Sequence, residues 1–115
     1  MTYTLYGIKN CDSVKKARQW LIEHHIDYQF HDFRVDGLTT AQLKDFAARA
    51  DWTTLFNRSS TSWRQLSSEQ QSNLTAESAI ALMLNTPTLI KRPVLDTGEQ
   101  LIIGFKAELY QAKLL

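Results

Sequence analysis

One side chain in this sequence combines a reactive type with a position that could activate it: the single cysteine, Cys11. It follows Tyr3-Thr4-Leu5-Tyr6-Gly7-Ile8, a run rich in aromatic and branched residues that reads as a strand. It lies within Asn10-Cys11-Asp12-Ser13, a cluster of helix-starting side chains, after which Val14, Ala17, Trp20 and Leu21 recur at helical spacing. Unpaired amide N–H groups converge at such a junction, and the helix dipole is positive there. Both favour a thiolate over a thiol, and the thiolate is the nucleophile. Lys9, Lys15 and Lys16 add positive charge nearby, while Asp12 opposes it. Spacing alone also admits a plainer role for Cys11, that of a small buried hydrophobe. A lone cysteine leaves no internal disulfide and no four-cysteine zinc site, so any redox cycle must take its resolving thiol from another molecule.

The histidines point elsewhere. His24-His25 falls at the end of the helical pattern and reads as capping carbonyls or facing solvent. His31 has no clustered cysteine or glutamate beside it, so no metal site is expected. Arg64, next to Trp63, reads as solvent-facing packing, and Trp20, Trp52 and Trp63 read as packing rather than ligand platforms.

The elements that must position Cys11 follow from hydrophobic period and turn signals. Tyr28-Gln29-Phe30-His31-Asp32-Phe33 alternates apolar and polar residues, as a strand with one buried face would, so the opening reads strand, helix, strand. With a right-handed crossover it forms a parallel βαβ unit. Leu43, Phe46, Ala47 and Ala50 mark a second helix, and 51–73 reads as short helices and turns packed by Trp52, Leu55, Phe56, Trp63 and Leu66. Thr75 to Leu84 is a further helix with an apolar part at Ile80, Leu82, Met83 and Leu84. Val94-Leu95-Asp96 and Gln100-Leu101-Ile102-Ile103 flank Asp96-Thr97-Gly98-Glu99, a hairpin turn, and Lys106 to Leu115 closes as a helix. The expected class is α/β. It is a thioredoxin-like mixed sheet, built from a βαβ unit plus a C-terminal hairpin and helix, with a helical insertion over about 38–86 of a single domain spanning 1–115.

Composition limits the functional classes. The 115 residues carry 13 Lys and Arg against 12 Asp and Glu, a net charge of +1, which gives no wide basic face for nucleic acid. A 43% hydrophobic and 22% charged composition is that of a globular chain. No apolar stretch of about 18 residues is present, and Met1-Thr2-Tyr3-Thr4-Leu5-Tyr6 lacks the features of a secretory signal, so the expected address is the cytoplasm. No heptad pattern calls for more than a monomer.

Several segments, in order, make the chain recognisable. Tyr6-Gly7-Ile8-Lys9-Asn10-Cys11 with Lys15-Lys16-Ala17-Arg18 resembles the opening of the arsenate reductase (ArsC)/Spx family, and closely its YffB-like subgroup. Phe30-His31-Asp32-Phe33-Arg34-Val35-Asp36-Gly37, Phe56-Asn57-Arg58, Leu89-Ile90-Lys91-Arg92-Pro93 and Ile103-Gly104-Phe105-Lys106 continue the resemblance to the end of the chain. The resemblance implies that Cys11 stands where the family's catalytic cysteine attacks an oxidised substrate, and that Arg58 and Arg92 bind its anionic groups. It also implies that Pro93 is the structural cis-proline. Glutathione is the implied co-substrate, with glutaredoxin as a possible recycling partner and no bound cofactor. Lys9, Arg58 and Arg92 are candidates for glutathione carboxylates, and Asn10 for a substrate oxygen or for shaping the loop. The sequence departs from the family in two places. No arginine lies near Ile103-Gly104, where arsenate reductases carry a third, and Val14 occupies the second position of the Spx Cys-x-x-Cys switch. The leading expectation is therefore a glutathione-dependent thiol reductase. An arsenate reductase and a non-catalytic Spx-like regulator that binds RNA polymerase are the alternatives.

Overall fold

The computed structural model describes residues 2–115; Met1 lies outside them. The chain forms two compact units, one made of 2–37 with 92–115 and the other of Leu38–Lys91.

The first unit is built on a four-stranded sheet in the order β2-β1-β3-β4, with β1 Tyr3–Gly7, β2 Tyr28–Asp32, β3 Val94–Asp96 and β4 Leu101–Ile103. β1 and β2 run parallel, pairing Tyr3 with Tyr28 through Gly7 with Asp32, and α1 (Asp12–Glu23) is the crossover between them. β3 returns antiparallel on the other side of β1, with Leu5 opposite Leu95 and Tyr6 opposite Val94, and β4 completes the hairpin. The turn uses Gly98 at φ 93°, while the Asp96 carboxylate accepts the Gly98 N–H at 2.9 Å. This is the mixed thioredoxin-like sheet that the order of elements implied.

Leu5, Leu95 and Ile102 of the sheet pack with Val14, Ala17, Trp20 and Leu21 of α1 and with Tyr110 of the C-terminal helix, Ala107–Leu114. Full burial of each large aliphatic side chain contributes about 1.5–3 kcal/mol. Close contact of α1 with β1 requires glycine at position 7, since a Cβ there would stand 2.6 Å from Val14 Cγ2. β2 departs from simple alternation: Tyr28 and Phe30 are half-buried, and the buried residue of the strand is polar, Asp32.

The second unit is helical. α2 (Thr40–Ala50) starts at a capping box of Thr39 with Gln42 and buries Leu43 and Phe46, while Ala47 and Ala50 are half-buried. Three short helices follow, α3 (Trp52–Leu55), α4 (Thr61–Arg64) and α5 (Ser68–Ser72), capped by Asp51, Ser60 and Ser67. In α6 (Ala76–Asn85), started by Thr75 with Ser78, Ala79 and Met83 are buried whereas Ile80, Leu82 and Leu84 are half-exposed. A bridge of Phe56 to Ile90 ties the unit's last segment to α3, with Asn57 N–H donating to Leu89 O at 2.7 Å and Lys91 N–H to Leu55 O at 2.8 Å. Among the described residues no helix is long and apolar enough to cross a membrane.

Candidate active site

Cys11 is the N-cap of α1, extended at φ −114° and ψ 127°, and its side chain makes no capping hydrogen bond. The sequence placed it beside a helix start; the structure makes it the residue on which the helix begins, with its carbonyl accepting the Lys15 N–H at 2.9 Å. The first-turn amides of α1 are thus left uncapped by this residue, at the end of the helix where the dipole is positive and Sγ is attached. Cys11 is half-buried: it packs partly against the sheet core and keeps exposure to solvent.

Strand pairing brings the next two candidates to the same end of the sheet. β1 delivers Cys11 at its C-terminal end, and β3 starts beside that end because Val94 lies opposite Tyr6. Immediately before β3 the Arg92–Pro93 peptide bond is cis, as the resemblance implied, and Pro93 is buried. Arg92 is half-buried, and its Nε is fully shielded with no hydrogen-bond partner among the described residues. A buried guanidinium N–H without an acceptor is costly unless a ligand supplies one. Gly104, at φ 78°, donates its N–H to Pro93 O at 2.8 Å, so Gly104 lies beside the cis-proline.

Lys9 and Asn10 precede Cys11 with exposed side chains. Asn10 makes no side-chain hydrogen bond among the described residues, and the loop is shaped instead through the Lys9 backbone. There the N–H donates to Asp32 Oδ2 at 3.1 Å. Asp32 was not singled out from the sequence; the only signal was a carboxylate closing a strand just before Arg34-Val35-Asp36-Gly37. Val14, at the second position of the Spx cysteine pair, is fully buried.

Arg58 belongs to the second unit, where it is exposed and its Cζ lies 5.6 Å from the Trp63 ring centroid. Trp63 meets Phe56 edge-on at 5.7 Å between centroids. Trp63 is a packing residue and Arg64 is exposed, both as expected, and the arginine that lies over the Trp63 ring is Arg58.

The histidines are engaged locally. His24 Nδ1 lies 2.8 Å from Trp20 O with its ring stacked on Trp20 at 3.8 Å, and His31 Nε2 lies 2.7 Å from Gly37 O. Among the described residues no group of three His, Cys, Asp or Glu is placed to hold a metal ion.

A thiol on the N-cap of the crossover helix, at the same end of a mixed sheet as a cis-proline, defines the thioredoxin-like class. Within it, the model of the ArsC family matches residues 6–113, and the chain belongs to that family. The solved structure of a YFFB protein superposes with a TM-score of 0.93 at 46% identity, over 99% of this chain and 100% of that one. An arsenate reductase (ArsC) related protein from Brucella melitensis gives 0.82 at 47% identity, over 98% and 94%. An uncharacterized protein of Haemophilus influenzae is 43% identical over 95% of this chain and 96% of its own length. The global transcriptional regulator Spx of Streptococcus pyogenes is 26% identical over 91% of this chain and 79% of its own.

Proposed function

We propose that the protein is a glutathione-dependent thiol reductase in which Cys11 is the nucleophile, Arg92 and Arg58 bind anionic groups of the substrate, and Lys9 contributes positive charge. One observation carries the reading: Arg92, with a shielded and unpartnered Nε, adjoins the cis-proline at the sheet end where Cys11 begins α1. That arrangement offers a planar donor to a carboxylate near a nucleophilic sulfur.

The cycle needs only one protein thiol. The Cys11 thiolate attacks the glutathione sulfur of a mixed disulfide; the S–S bond breaks, the substrate thiolate leaves, and Cys11 carries glutathione. A second glutathione thiolate then attacks that glutathione sulfur, releasing glutathione disulfide and restoring the Cys11 thiolate. The net change is that the substrate sulfur is released as a thiol while one free glutathione is oxidised, its sulfur joining the glutathione of the mixed disulfide in glutathione disulfide. A lone thiol working in this way suits a reducing compartment, so we assign the protein to the cytoplasm, acting as a monomer with no nucleic-acid or membrane partner.

The test is turnover of the mixed disulfide of glutathione and 2-mercaptoethanol, coupled to glutathione reductase. Turnover lost in Cys11→Ser, together with a glutathione adduct on Cys11 by mass spectrometry, is the expected result. Absence of both in the natural protein overturns the proposal. Arsenite formation from arsenate, with glutathione and glutaredoxin, would move the assignment to an arsenate reductase. Co-purification with the RNA polymerase α subunit, without turnover, would move it to an Spx-like regulator.

A further inference from the structure

We propose that Asp32 is a positioning residue for Cys11, acting through the backbone of Lys9; the inference rests on the reading of Cys11 as the nucleophile. Asp32 closes β2 and is 6% exposed. Both of its carboxylate oxygens are used, and on different segments: Oδ2 accepts the Lys9 N–H at 3.1 Å and Oδ1 accepts the Arg34 N–H at 2.8 Å. The residue is itself held in a tight turn, its N–H donating to Asp36 Oδ2 at 2.9 Å and its carbonyl accepting the Asp36 N–H at 2.7 Å. One step away, the Phe33 N–H donates to Gly7 O at 2.9 Å. The connection from β1 to α1 is therefore fastened to the end of β2 at two successive points, and Cys11 follows the second of them.

A buried carboxylate is costly unless donors compensate it, and here the donors are backbone amides of two segments. A surface turn needs no such device, since an exposed Asp or Asn would close it in contact with water. The consequence is specific. With asparagine at position 32, one of the two amides would face an NH2 group, donor against donor, while the side chain keeps its size. Lys9 or Arg34 must then shift. A displacement of about 1 Å at a reacting group can lower a rate on the order of a hundredfold.

The experiment compares Asp32→Asn with Asp36→Ala, which removes the neighbouring bond to the Asp32 N–H without touching Lys9. The second-order rate constant of Cys11 with oxidised glutathione is expected to fall about tenfold or more in Asp32→Asn and to stay within about twofold in Asp36→Ala. The Lys9 amide proton should move upfield only in Asp32→Asn. A folded Asp32→Asn protein that reacts at the natural rate overturns the inference, as does an equal loss in Asp36→Ala. If the natural protein does not react with oxidised glutathione, the glutathione reading fails, and the same comparison made with iodoacetamide, which needs no anion site, decides the role of Asp32. If Asp32→Asn does not fold, hydrogen exchange in the natural protein decides: slowed exchange at Lys9 relative to Asn10 supports the inference, and equal exchange overturns it.

Discussion

Replacing Tyr110 by phenylalanine should stabilise this protein, and the gain should grow in alkali. The Tyr110 ring is fully buried, meeting Phe105 edge-on at 4.7 Å and Trp20 edge-on at 5.3 Å, and its hydroxyl has no hydrogen-bond partner among the described residues. A buried hydroxyl without a partner costs about 1–3 kcal/mol. Phenylalanine keeps both ring contacts and removes that cost, leaving a gap of one oxygen atom. The net expectation is a gain of about 1 kcal/mol, or roughly 3–5 °C in Tm for a chain of this size. The pH dependence is a second handle. Burial pushes the Tyr110 phenol far above its ordinary value of 10.0, because the phenolate would be stranded away from water. Above about pH 10 the unfolded chain loses that proton while the folded one keeps it, so natural-protein stability falls with pH by up to about 1.4 kcal/mol per unit. Subtracting the Tyr110→Phe curve isolates this loss from the other tyrosines and the lysines. Urea denaturation from pH 7 to 11 gives both quantities. A phenylalanine variant less stable at pH 7, or a stability difference that stays flat above pH 10, would refute the reasoning by showing that the hydroxyl is bonded or hydrated.

Three further outcomes follow from the geometry. Gly7→Ala places a methyl group 2.6 Å from Val14 Cγ2 and should lower stability by about 1–3 kcal/mol in urea denaturation, with Val14→Ala in the same chain restoring part of it. Arg92→Lys keeps the charge but loses the planar fork and Nε; if Arg92 binds substrate, KM for the glutathione mixed disulfide should rise at least several-fold in steady-state kinetics. Trp63→Leu removes the ring beneath Arg58, a contact of about 0.5–1 kcal/mol; if Arg58 binds substrate, KM should rise about two- to fivefold with kcat unchanged, with circular dichroism checking that the helices persist.

Local signals carried most of the fold because they arise from residues close in the chain. The helix starts at Thr39 and Thr75 are legible since a hydroxyl needs only the amide three residues on, and the hairpin at Asp96-Thr97-Gly98-Glu99 is a matter of turn chemistry. Periodicity also placed Val14, Ala17, Trp20 and Leu21 on one buried face of α1. It was less reliable where burial depends on partners far along the chain, as Asp32 shows by being the buried residue of a strand whose aromatics are only half-covered.

The sequence by itself determined the order of elements and the one position where thiol chemistry could sit, since it carries a single cysteine, at a strand-to-helix junction. Tertiary structure decided the surroundings. Antiparallel pairing of β3 with β1, far apart in the chain, brings cis-Pro93 and Arg92 to the end of the sheet that carries Cys11. Burial, set by the packed fold, leaves the Arg92 Nε and the Tyr110 hydroxyl without partners among the described residues, and fixes Asp32 against the Lys9 amide. Hydrogen bonds between segments far apart in the chain, and the solvent access that their packing leaves, belong to the folded chain, and local spacing of residue types does not encode them.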